Sequence, residues 1–148
     1  CIRDRRSPSA VVAYAAEQGT QAIEQTIKKL KARLLPYDIE EGLFLLGDTV
    51  FLHGFQCSVS AVRDTVESVG KNIVMAHLHR PEIARGRVLR SPVGICVGTL
   101  ANIGAMGYAR ARRATYQWGH GFAYGEYCHD ACVSWLATPV KGEWRFPL

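Results

Sequence analysis

With 148 residues and 16.4 kDa the chain suits one domain, and a hydrophobic share of 48% is enough to bury a core. A formal net charge of +5 and a pI near 9.1 favour anionic partners without specifying one. Five scattered cysteines, an odd number, speak against a disulfide framework and for a reducing, cytoplasmic compartment.

The chain opens at Cys1 without a Met, so it reads as a processed chain or a piece of a longer one. Residues Cys1 to Ser9 are polar and basic. Arg3, Asp4, Arg5 and Arg6 are followed by no continuous apolar core, which is not a signal-peptide pattern. Ala10 to Gln18 is rich in Ala and Val and reads as helical, with Gly19 as an interruption. Gln21 to Leu35 is predicted as a stronger helix. Its Ile23, Ile27, Leu30 and Leu34 form one apolar stripe, and Lys28, Lys29, Lys31 and Arg33 suit the C-terminal end of the dipole. Pro36 follows as a stop.

Gly42 to Leu46 and Thr49 to Leu52 are short apolar runs joined by Gly47-Asp48, a pair suited to a type II′ hairpin. The second run ends in His53-Gly54-Phe55. Ser58 to Val69 is predicted as a helix with Ser58 or Ser60 as cap. Ala61, Val62, Thr65, Val66 and Val69 form its buried face, and Gly70 its C-cap. Ile73 to Met75 then has the branching of a buried strand. It ends in Ala76-His77-Leu78-His79-Arg80-Pro81, where Pro81 stiffens the exit. Residues i and i+2 on an extended backbone point the same way, so His77 and His79 are expected to face one site. The alternative is a loop with two solvated histidines.

Together these elements make a β-α-β unit in which each strand delivers histidine at its carboxyl end. A right-handed crossover sets those ends side by side, where ligands of open α/β sheets gather. Imidazole is the commonest metal-ligating side chain, so His53, His77 and His79 are candidate ligands.

Further along, Glu82 to Arg90 is predicted as a strand with alternating Ile83 and Val88, and Gly94 to Leu100 as a buried strand. Ser91 to Ala109 is 19 residues without a charge, but its many glycines, with Pro92 and Asn102, read as strand plus loop rather than a membrane span. Asn102 to Tyr116 is a loop carrying Arg110, Arg112 and Arg113. With Tyr108, Tyr116 and Trp118 these arginines combine phosphate charges with stacking faces; the alternative is a solvated basic loop. His120 to Tyr127, Ala131 to Thr138 and Glu143 to Phe146 read as final strands. Cys128 and Cys132 lack a second Cys/His pair at zinc-finger distance and read as strand-end cysteines, one packed inward.

His53-Gly54, a helix, and then His77-Leu78-His79 resemble the C-terminal half of calcineurin-like metallophosphoesterases, with Ala76 where those enzymes carry glycine. Gly98-Thr99-Leu100, Tyr108 and Trp118-Gly119-His120-Gly121-Phe122 look like the tail of its phage and bacterial branch. The resemblance runs from about Leu43 to Phe146. It implies an α/β fold (α+β): the C-terminal half of a four-layer αββα sandwich, a mixed sheet followed by antiparallel strands. It also implies a two-metal site in which His53 and His77 hold one ion and His79 the other, with Mn, Fe or Zn all suited to imidazole and carboxylate.

The family's first-half motifs, Asp-x-His, Gly-Asp-x-x-Asp and Gly-Asn-His, do not occur here; Gly47-Asp48 has Phe51 where the second Asp would stand. The expectation is therefore a metal-dependent phosphoesterase, or the C-terminal part of one, acting on a phosphate ester and possibly nucleic acid. Arg80 is expected to hold a phosphate oxygen beside His77. Arg110, Arg112, Arg113 and His120 are expected near the substrate. Another chain or a preceding segment is expected to complete the site. The competing expectation is a degenerate, non-catalytic binding or inhibitor protein of the same fold.

Overall fold

A computed structural model describes residues 10–109 and 115–146 of the chain. The chain divides into two compact units, residues 1–35 and 36–148. Among the described residues it is an α+β protein: two α-helices, a five-stranded mixed sheet and small antiparallel hairpins. None of the described helices is long and apolar enough to cross a membrane.

The first unit holds helix α1, Ala10–Lys29. It runs through Gly19, where the sequence predicts an interruption; one interior glycine costs a helix only about 1 kcal/mol relative to Ala. It also stops short of Leu35. The amide of Ala32 donates to Ile27 O at 3.0 Å, the amide of Lys31 donates to Lys28 O at 3.1 Å, and Lys31 takes φ 52°. That is a Schellman motif with lysine at the left-handed position usually held by glycine. Ile23 and Leu30 of the predicted stripe are exposed.

In the second unit, strands β1 (Phe44–Leu46), β2 (Thr49–Leu52), β3 (Asn72–Met75), β4 (Glu82–Arg85) and β5 (Val93–Cys96) form a sheet in the order β1-β2-β3-β5-β4. Its centre, β2-β3-β5, is parallel, and the two edges are antiparallel. The β1–β2 hairpin turns at Gly47-Asp48, where Gly47 alone has positive φ (59°), as a type II′ turn needs. Helix α2, Ala61–Val69, is the crossover from β2 to β3 and ends at Gly70 in the left-handed region. Ser60 occupies the N-cap, but its hydroxyl donates to Asp64 Oδ2 at 2.7 Å rather than capping a backbone amide.

Register explains the core. Val50, Ile73, Gly94 and Ala84 lie side by side on the face under α2 and pack against Ala61, Val62 and Val66. Phe51, Val74, Ile95 and Ile83 make the matching row on the opposite face. There the hairpin of β6 (Phe122–Cys128) and β7 (Ala131–Ala137) lies over Val74 and Ile95, leaving a cavity of about 280 Å³. The carboxylate of Asp48 accepts from Cys132 N at 3.0 Å and ties the hairpin to the sheet. That bond, the largest influence on the group, holds the Asp48 carboxyl below its usual range. The β6–β7 turn is His129-Asp130, both at positive φ (49° and 62°), the type I′ geometry. Strands β8 (Pro139–Val140) and β9 (Glu143–Trp144) close a second small hairpin.

Two strands are shorter than their sequence suggests: β5 ends at Cys96 and not at Leu100, and β4 is cut back further. The run predicted over Glu82 to Arg90 is only the four residues of β4, and its inward residue is Ala84, while Ile83 is 59% exposed. Pairing with Ile95 puts Ile83 on the face away from α2, at the sheet's edge.

Candidate metal and phosphate site

Strands β2 and β3 are adjacent and parallel, so their carboxyl ends share one rim. Ala76 N donates to His53 O at 3.1 Å and extends the ladder one step past each strand. Gly54 follows at φ 98°; a Cβ there would sit 2.6 Å from Met75 Cε and 3.3 Å from His77 Cβ. Only glycine lets the chain turn this closely against the second histidine.

The segment after β3 is not extended. His77 has φ 69° and His79 φ 55°. Leu78 N donates to Ala76 O at 2.8 Å, which closes a γ-turn about His77. The i and i+2 argument for parallel imidazoles therefore fails here. The physical reason is Leu78, which is 9% exposed and belongs to the hydrophobic core. Sending that side chain inward makes the backbone reverse on either side of it. Such backbone costs about 1–3 kcal/mol per residue and collects at functional sites. Ala76, in place of the glycine of the resembling family, is not at positive φ, so its Cβ is tolerated.

The result is one close histidine pair. His77 Nδ1 lies 3.2 Å from His53 Nε2, with the rings 5.1 Å apart at 68°. Tyr37 stands edge-on to His53 at 5.1 Å, and its hydroxyl donates to Gly54 O at 3.3 Å. On the other side of His77, Nε2 is 3.1 Å from the sulfur of Cys57. Partial burial, and then the like charges of His53 and His79, push the His77 imidazole below its ordinary pKa.

His79 is held apart from this pair. Its ring meets Trp118 edge-on at 4.5 Å and 63°, and its Nδ1 is buried with no hydrogen-bond partner. Trp118 is set by a backbone crossing: Gly119 N donates to His79 O at 2.9 Å and Thr99 N to Gly119 O at 2.9 Å. A Cβ on Gly98 would lie 2.2 Å from Gly119 O, so the glycines of the tail motif are what allow the crossing.

Arg80 spends its guanidinium on the scaffold. Nε pairs with Glu82 at 2.6 Å, Nη1 donates to Gln117 Oε1 at 3.2 Å, and Nη2 donates to Ser58 O at 3.2 Å and Val59 O at 2.8 Å. These use four of the five N–H donors of the group. His120 Nε2 donates to Ala101 O at 3.0 Å, and the residue bridges Thr99. Arg110, Arg112 and Arg113 lie outside the described residues.

Two imidazole nitrogens bound to one cation at about 2.0–2.1 Å, with tetrahedral to octahedral angles, lie roughly 2.9–3.4 Å apart. The 3.2 Å between His53 and His77 fits that range. The orphaned Nδ1 of His79 is likewise a donor atom without an occupation. Among the described residues no three His, Cys, Asp or Glu side chains converge as a ligand set. Sequence reasoning missed Cys57 and Tyr37. Neither sits in a motif: Cys57 meets His77 only because α2 returns the chain to the sheet, and Tyr37 reaches His53 and Gly54 from the segment before β1. The chain matches no protein-family model, no curated protein and no solved structure.

Proposed function

We propose that this chain carries the histidine half of a two-cation phosphoesterase site, on the C-terminal half of a calcineurin-like αββα sandwich. The observation that carries the reading is the facing of His53 Nε2 and His77 Nδ1 at 3.2 Å, at the ends of neighbouring parallel strands. The γ-turn that Leu78 N closes on Ala76 O fixes the backbone from which His77 meets His53. His53 and His77 hold one divalent cation (Mn, Fe or Zn) and His79 helps to hold a second. Bound cations would supply charge stabilisation at the phosphoryl oxygens of a phosphate ester or a nucleic-acid backbone. Arg80 fixes the loop at Ser58 and Val59 and leaves one N–H for an oxygen of the substrate. Substrate binding is assigned to His120, Arg110, Arg112 and Arg113. The carboxylates of the site come from another chain or from further sequence, and the free cysteines suit a reducing cytoplasm.

A second reading, a non-catalytic binding or inhibitor protein of the same fold, is favoured by one observation: no carboxylate joins the histidine pair among the described residues. Purified protein is incubated with manganese(II) and bis-p-nitrophenyl phosphate. The enzyme reading expects turnover that chelator stops and His77→Ala abolishes. Absence of both manganese uptake and turnover, with any partner chain present, favours the binding protein.

A further inference from the structure

The facing histidines leave a question of hydrogens. A neutral imidazole carries one hydrogen, and its partners decide which nitrogen holds it. Two hydrogen-bond chains satisfy the distances Cys57 Sγ to His77 Nε2, 3.1 Å, and His77 Nδ1 to His53 Nε2, 3.2 Å. In one, the thiol donates to Nε2 and Nδ1–H donates to His53. In the other, His53 donates to Nδ1 and His77 Nε2–H donates to the sulfur. A cation held between His53 and His77 needs lone pairs on both facing nitrogens. The His77 hydrogen must then sit on Nε2, where the sulfur is at hand to accept it.

We propose that Cys57 is a positioning residue: its sulfur takes the Nε2 hydrogen of His77, selects that tautomer and aims the Nδ1 lone pair toward His53. The inference rests on the histidine-pair reading above and adds a residue outside the ligand set. Cys57 is kept in place from below, because Arg80 Nη2 holds the carbonyls of Ser58 and Val59 just beyond it, at 3.2 and 2.8 Å. The other thiols among the described residues have different occupations. Cys96 is buried and donates to Ala76 O at 3.3 Å, whereas Cys128 and Cys132 belong to the β6–β7 hairpin. Partners on the second nitrogen of a ligating histidine typically matter by about 10–100-fold in cation affinity.

The test uses the full chain with nitrogen-15 histidine. Long-range proton–nitrogen spectra of the cation-free protein read the His77 tautomer, and titration followed by the spin resonance of free manganese(II) reads affinity. Cys57 is exposed, so its substitution leaves no hole in the core. The wild type should show Nε2–H. Cys57→Ala should shift His77 toward Nδ1–H and weaken manganese binding by about 10–100-fold. Cys57→Ser, which keeps an acceptor, should stay nearer the wild type, and Cys132→Ala should match it. A Cys57→Ala protein with the wild-type tautomer, or with wild-type affinity, overturns the proposal. If the wild type takes up no manganese even with a partner chain present, the phosphoesterase reading falls, and the tautomer spectra still decide whether Cys57 sets the His77 ring.

Discussion

Trp118 stands edge-on to His79, ring centroids 4.5 Å apart, beside an Nδ1 that no hydrogen bond holds. The indole packs against this imidazole where Nδ1 has no hydrogen bond. Trp118→Ala should lower stability by about 1–3 kcal/mol, from lost area and the lost aromatic pair. Trp118→Phe should retain most of it. Urea denaturation and the ring-proton shifts of His79 read the two effects. An unchanged midpoint together with unchanged shifts in Trp118→Ala would show that the indole is not what sets His79.

The γ-turn predicts an inversion of the usual order of substitutions. At φ 69° a Cβ is strained, and Gly escapes a cost of roughly 1–2 kcal/mol that Ala keeps. His77→Gly should therefore be more stable than His77→Ala by about 1 kcal/mol, although glycine normally loosens a chain. Both lose the nitrogen facing His53. Equal m-values with the glycine midpoint above the alanine one is the expected result. The reverse order means that the backbone at 77 is relaxed.

Much of the frame is legible in the sequence because its signals are local. Gly47-Asp48 specifies its turn, Gly70 ends α2, and the apolar run at 73–75 is too short for anything but a strand. Once α2 is read as a crossover, the meeting of His53 and His77 follows. The misreadings are those where a distant partner decides. Leu78 is drawn into a core built by α2 and β5, which bends the backbone at His77 and His79 out of the extended form. Ile83 takes its side from pairing with Ile95, and Arg80 turns to acceptors at 58, 59, 82 and 117. At Lys31 a lysine takes the left-handed position, and no local residue type announces it.

Gly54→Ala tests how tightly the two strand ends are joined. Its Cβ would meet Met75 Cε at 2.6 Å and His77 Cβ at 3.3 Å, on a residue already at φ 98°. A loss of about 1–3 kcal/mol is expected, with His77 displaced. Met75→Ala in the same chain should not restore stability, since the backbone strain persists. Thermal melting of the two variants decides it; a Gly54→Ala protein as stable as wild type would contradict the packing described.

The lowered pKa of His77 has a definite sign in stability. In the unfolded chain the imidazole titrates near 6.5, and in the folded chain lower, because of burial first and then the charges of His53 and His79. Between the two values the unfolded state binds more protons, so this contribution is fully present above about 6.5 and is lost as pH falls through the window below it. Urea midpoints measured from pH 8 down to pH 5 should decline more steeply for wild type than for His77→Gln. Parallel curves would remove His77 from the cause.

The strand pairing within the β6–β7 hairpin, closed by His129 and Asp130, joins residues near in sequence, whereas β2, β3 and β5 must each wait for a crossover. Hairpins close in roughly 1–10 μs, while parallel pairing across long loops is far slower. In refolding, the lid of the sheet should thus be ready before the rim that bears the histidines. Fluorescence from Trp135 alone should settle ahead of fluorescence from Trp118 alone, and a shared rate for the two reporters would mean that lid and rim assemble as one.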